Sequence, residues 1–155
     1  MRILKVILKK CVLLGALLLT EGLFAQSNGF VDQVITRASI RADEAAYLIL
    51  AASDNLSDDT DAARSFEFLQ ELGWAPGGLT ADSRITYSQF ASVLMHAFGI
   101  SGTILYQWFP TPHYAYRELC QLVVIQGATD PDMPVSGAAA LRMIGRVFDV
   151  QGVQE

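Results

Sequence analysis

The chain has 155 residues, 52% of them apolar, with 11 basic and 16 acidic side chains and a formal net charge of −5. The basic residues are front-loaded: beyond residue 25 there remain seven arginines, no lysine and fifteen acidic residues, a net charge of −8. That balance lacks the clustered Lys and Arg that phosphate contacts need and excludes nucleic acid or an anionic membrane surface as a partner; the length suffices for one domain with a core.

Arg2, Lys5, Lys9 and Lys10 form a positive opening, Cys11 to Leu19 is apolar, and Leu23-Phe24-Ala25 ends on a small residue before Gln26. Charged, apolar and small segments in that order read as a secretory signal peptide over residues 1–25. A membrane-spanning helix needs roughly 20 apolar residues, and Glu21 and Gly22 interrupt the run too early. A lipid-anchored cysteine would follow the apolar run, whereas Cys11 stands at its start. The expectation is an exported protein, periplasmic or otherwise envelope-associated, with no membrane insertion after signal cleavage. Only Cys120 then remains, so no internal disulfide forms, and it reads as a small apolar helix residue.

From residue 26 to 155 the pattern is helical and repeats. Phe30, Val31, Val34 and Ile35 read as a short helix with almost no loop before Ile40. Ala45, Leu48, Ile49 and Ala52 fill four of the five places of an amphipathic stripe at i, i+3, i+4, i+7 and i+8. The stretch Asp54 to Asp61 reads as an exposed acidic linker. It lacks the ligand spacing of a calcium loop, since Leu56 falls at the third place and Ser65 at the twelfth.

Phe66, Leu69 and Leu72 mark the inner side of a second short helix, followed by the Pro76-Gly77-Gly78 turn and the apolar Ile85. Thr86 has the position of an N-cap, and with Gln89 the spacing of a capping box. Phe90, Val93, Leu94, Ala97 and Phe98 then fill all five places of the stripe. Ser101-Gly102-Thr103 opens a second linker, which carries Tyr106, Trp108, Phe109 and Tyr114. Fifty residues beyond the second short helix lie Tyr116, Leu119 and Leu122. They are followed by Gly127, Asp130-Pro131-Asp132, Val135 and Ser136, then by the stripe Ala140, Met143, Ile144, Val147 and Phe148. The unit is a short helix, a loop and a capped longer helix, and none of the three copies buries its stripe alone. The fold expected is all-α: degenerate helix–loop–helix repeats near 30–53, 62–100 and 112–150, with the three longer helices around a common axis.

The third copy, from Pro112-His113-Tyr114-Ala115-Tyr116 to Pro131-Asp132-Met133-Pro134-Val135-Ser136, resembles the S-layer homology consensus. The second copy is similar to it through Leu72-Gly73 and Ala81-Asp82-Ser83-Arg84-Ile85-Thr86. The resemblance implies one domain over 26–155, a pseudo-threefold helical bundle, and a module that holds proteins to cell-wall glycan. The family's Thr-Arg-Ala-Glu motif at the start of each longer helix is replaced by Thr-Tyr-Ser-Gln at 86–89 and Ser-Gly-Ala-Ala at 136–139. The first copy has Arg41-Ala42-Asp43-Glu44, with the arginine one place out of step, after a literal Thr36-Arg37-Ala38-Ser39.

No catalytic residue, metal site or cofactor is expected. The histidines His96 and His113 stand apart from any close Cys or carboxylate group with metal-ligand spacing, and no serine motif suggests a nucleophile elbow. The expectation is a non-catalytic envelope anchor or scaffold. Its partner is a cell-wall glycan, touched through Arg41, Thr86 and Gln89 at helix starts and through the linker aromatics Trp108 and Tyr114. The alternative is a protein–protein adaptor that binds another envelope protein and has kept the fold without the glycan site.

Overall fold

The computed structural model describes residues 29–56, 60–127 and 129–152. The segment expected to be a signal peptide, the centre of the acidic linker and the last three residues lie outside them. The chain divides into two compact units, Met1–Val34 and Ile35–Glu155. Of the first, residues 29–34 are described, and they are helical; we call the helix over residues 29–35 α1.

The second unit is all-α. Its helices are α2 (Ala42–Ala52), α3 (Ala62–Glu71), α4 (Tyr87–Ala97), α5 (Ile104–Trp108), α6 (Pro112–Gln121) and α7 (Gly137–Gly152). Extended pairing among the described residues is confined to two isolated antiparallel bridges, Arg41 with Arg84 and Thr86 with Pro134. The shorter α3 packs on α2 and the shorter α6 on α4, while α2 also touches α4 and α7.

Helix starts are set by side chains that accept from otherwise orphaned N–H groups. Asp61 Oδ1 accepts from the Arg64 N–H at 2.8 Å, so the acidic linker ends in the cap of α3. Thr111 caps α6, with Pro112 in its first turn, where a missing N–H costs nothing. Ser136 Oγ accepts from the Ala139 N–H at 3.2 Å at the start of α7.

The core is the set of stripes that the periodicity marks. Ala45, Ile49, Phe90, Leu94, Ala140 and Val147 have no exposed surface, and Val93 and Met143 almost none. Each large side chain buried this fully contributes about 1.5–3 kcal/mol, which suits a chain that holds its fold by packing. The stripe frays at its last place. Phe148 is half exposed and meets Phe98 edge to face at a centroid distance of 5.3 Å. Leu72, expected inside, is also exposed, because α3 ends at Glu71 and the chain turns away at Gly73.

Candidate functional site

Ile40, Ile85 and Val135, the apolar residues just before the three longer helices, close a cycle of backbone hydrogen bonds. The Ile40 N–H donates to the Val135 carbonyl at 2.9 Å, the Val135 N–H to Ile85 at 2.9 Å, and the Ile85 N–H to Ile40 at 3.3 Å. The three side chains are fully buried. Around this cycle the helix starts lean on neighbouring loops: the Ala42 and Asp43 N–H groups donate to Ser83 and Ala81, those of Tyr87 and Ser88 to Met133 and Pro131, and that of Gly137 to Arg37. At the starts of α2 and α4 the first backbone donors, which would make a helix start an anion site, are therefore already used.

The expected ligand residues at this end are engaged as well. Gln89 N–H donates to Thr86 Oγ1 at 3.4 Å while Thr86 N–H donates to Gln89 Oε1 at 3.0 Å, a reciprocal capping box. Arg41 donates through Nε and one terminal nitrogen to the two carboxylate oxygens of Asp43, at 3.1 and 2.7 Å, and its other terminal nitrogen lies 3.6 Å from Asp82. Glu44 accepts from the Arg41 N–H at 2.9 Å and pairs with Arg37 at 2.7 Å. Asp43 and Glu44 are both buried, and a buried carboxylate persists only when paired and hydrogen-bonded. The two arginines are the counter-charges that let α2 start with two buried acids.

The second expected group lies elsewhere. Gly102 has φ 62°, and a Cβ there would stand 2.8 Å from a Tyr106 ring carbon and 3.1 Å from Met95 Cε. Tyr106 thus packs over Gly102 against the last turn of α4, and it is buried. Glu118 of α6 accepts from the Thr103 N–H at 3.0 Å and from the Thr103 hydroxyl, which fixes the start of α5 to α6. Held from below in this way, α5 and the residue after it expose Ile104, Leu105, Trp108 and Phe109, with Trp108 the most exposed at 73%. Phe109 leans towards Tyr114 at a centroid distance of 6.4 Å.

At 1.5 Å per residue, α4 puts about 13 Å between Thr86 and Met95. Arg41, Thr86 and Gln89 gather around the backbone cycle, whereas Trp108 follows Tyr106, which packs at the Met95 end of α4, and Tyr114 pairs with Phe109. The structure does not bring the two groups together.

Beside α5 a cleft of about 370 Å³ opens, lined by residues that include Phe98, Thr103, Glu118, Leu122 and Gln151. Glu118 is absent from the expected site residues, although its place carries a signal: Ala115, Glu118, Leu119 and Leu122 have stripe spacing, and an acid occupies one of its inner places. Ile104 and Leu105 carry no such signal, because a five-residue helix is too short to show a period. His113 is exposed, and His96 stacks on Trp74 at a centroid distance of 6.3 Å. Among the described residues there is no group of three or more His, Cys, Asp or Glu that could hold a metal ion, and no helix is long and apolar enough to cross a membrane.

Compared with known proteins, the chain matches no family model, no curated protein and no solved structure.

Proposed function

We propose that this chain is a non-catalytic cell-envelope module of the S-layer homology kind that works as a protein–protein adaptor, with the Ile104–Phe109 ridge as its docking face. The observation that carries the reading is four exposed large apolar side chains within six consecutive residues, on a helix tied down at Thr103 and Tyr106. A preorganised apolar patch with a tryptophan at its crest has the composition of an interface hot spot. The envelope location rests on the signal-like order of residues 1–25. The hydrogen-bond cycle of Ile40, Ile85 and Val135 supports the reading of three related copies.

Anchoring to cell-wall glycan is the second reading, and one observation favours it: the exposed Trp108 with the Phe109–Tyr114 pair nearby suits stacking on sugar rings. Against it stand the occupied helix starts and the engagement of Arg41 by two aspartates.

The test is site-specific photo-crosslinking from position 105 in the native envelope, paired with sedimentation of the purified protein with protein-stripped sacculi. The adaptor reading expects a discrete cross-linked protein that disappears in Trp108→Ala, and no saturable binding to sacculi. Saturable sacculus binding that Arg41→Ala abolishes, with no cross-linked protein, would replace it with the glycan reading.

A further inference from the structure

Among the described residues of the second unit, three carboxylates are buried: Asp43, Glu44 and Glu118. The first two have arginine partners at 2.7 Å. Glu118 is 6% exposed and, among the described residues, has no cationic partner; its hydrogen bonds come from Thr103 alone. A carboxylate oxygen pair offers about four acceptor sites, and Thr103 takes two. The remaining acceptor capacity belongs to a group that forms part of the cleft wall.

The surroundings of that cleft are negative and apolar. It runs into a shallower hollow that shares Phe98 and Gln151 with it and adds Asp54 and Phe148. These residues stand at the C-terminal ends of α2, α4 and α7, where helix dipoles present their negative poles. Neither α2 nor α7 has a basic residue in its last turn to offset this, and α4 has only His96, whose neutral form burial favours. The phenol of Tyr106 is held above its ordinary pKa by burial first and by the charge of Glu118 second. Among the described residues no salt bridge joins Glu118 to a cation as Arg37 and Arg41 are joined to Glu44 and Asp43, and the nearby Arg146 is spent on the Val124 carbonyl at 3.0 Å.

The ridge and the cleft also share a wall. Thr103 stands at the N-cap position of α5, the helix that carries Trp108, without capping it through its side chain, and the same Thr103 lines the cleft and donates to Glu118. Ile104, at the near end of the ridge, directly follows the cleft residue Thr103 in the chain.

We infer that the cleft receives a basic side chain, lysine or arginine, from the protein partner that covers the Ile104–Phe109 ridge, with Glu118 as its counter-charge. The inference rests on the adaptor reading and names the chemistry of that partner: a basic residue flanked by apolar ones. Charge complementarity selects it, since a buried acid without a cation gains most from a charge-assisted hydrogen bond, while the aliphatic stem of Lys or Arg packs on Phe98 and Leu122.

The experiment titrates N-acetylargininamide into the ¹⁵N-labelled protein, with the neutral isostere N-acetylcitrullinamide as the control. The expected result is saturable amide shifts confined to Gly99, Gly102, Thr103 and Gln151. Affinity should be on the order of millimolar, as one buried pair allows, with at least tenfold weaker binding of the citrulline compound. Glu118→Gln should abolish the difference between the two probes. Gln151→Lys, which tethers an ammonium in the same cleft and leaves Glu118 and Thr103 in place, should block the arginine probe. Equal binding of both probes, no shifts at all, or shifts that survive in both variants would overturn the inference. Failure of the probe alongside intact cross-links from the ridge sinks the basic-anchor inference alone. Probe binding without any ridge cross-link keeps the cation site and sinks the adaptor reading.

Discussion

Gly73 and Val123, fifty residues apart, hold the same backbone conformation, with φ of 71° and 61°, at the ends of α3 and α6. Their hydrogen bonds correspond as well. Gly73 and Trp74 donate to Gln70 and Leu69, and Val123 and Val124 donate to Cys120 and Leu119. This is the left-handed helix stop in which a residue without Cβ is at ease. In the later copy a β-branched residue occupies it, and that side chain is 58% exposed, so little burial offsets the strain.

Val123→Gly should therefore stabilise the protein by about 1 kcal/mol, the usual penalty of an L-residue in this region less the entropy glycine adds to the unfolded chain. Urea melts followed by circular dichroism check it. The reverse change, Gly73→Val, should lose a similar amount, and a neutral result at both positions would show that the turn relaxes around either residue.

Thr86→Ala removes one half of the only reciprocal side-chain box built from neutral residues described here, Thr86 with Gln89. Its loss should cost about 1 kcal/mol, read as a lower urea midpoint with an unchanged slope. Gln89→Ala should cost less, because it leaves the Thr86 hydroxyl in place to accept from the start of α4. If Thr86→Ala leaves stability untouched but alters binding to sacculi, the residue serves a ligand and not the helix.

Much of the scaffold is legible in the residues. The spacing of Phe90, Val93 and Leu94, and of Ala140, Met143 and Ile144, marks the buried faces because a helix turns by a fixed angle and a core admits no water. Thr86 and Ser136 announce their helices for an equally local reason. What periodicity does not carry is any relation between distant backbones. The cycle joining Ile40, Ile85 and Val135 uses groups that every residue possesses, so no side chain signals it. The pairing of Arg41 with Asp82 at 3.6 Å joins residues about forty apart, across α2 and α3, and the guanidinium that reads as free for a ligand is already held by Asp43. The Tyr116 hydroxyl donating to the Thr129 carbonyl at 2.6 Å shows the same limit. Fifty residues earlier the corresponding pair is Phe66 and Leu79, both buried and apolar, so one structural place is filled by two chemistries and the repeat fades from the sequence.

Gly102→Ala tests how the ridge is held. A methyl at this position meets a Tyr106 ring carbon at 2.8 Å in a backbone conformation that L-residues rarely adopt. Tyr106 must shift, and with it α5. The expected outcome is a destabilisation of about 1–3 kcal/mol, together with loss of the position-105 cross-link even though Trp108 itself is intact. Retention of the cross-link at full yield would mean that the apolar side chains dock without the rigid seat described here.

His96 stacks on Trp74 with ring planes 10° apart, and burial lowers its pKa below the ordinary value of 6.5. The folded state therefore prefers the neutral imidazole. Between the lowered folded value and 6.5 the unfolded chain binds more protons than the folded one, so stability rises with pH through that window. Conversely, the contribution is fully present above pH 6.5 and is lost as the pH falls through the folded value. Because part of the ring remains in water, the effect is small and screened, and an optical probe reads it more sharply than a melt. The chain has two tryptophans, so in a Trp108→Phe background Trp74 reports alone. Protonation of the stacked imidazole should quench its fluorescence with a midpoint below pH 6.5. His96→Gln should remove that transition and flatten the pH dependence of the urea midpoint between pH 7 and 5.5. A quenching midpoint above 6.5 would reverse the sign of the argument, since it would mean that the indole face stabilises the imidazolium more than burial disfavours it.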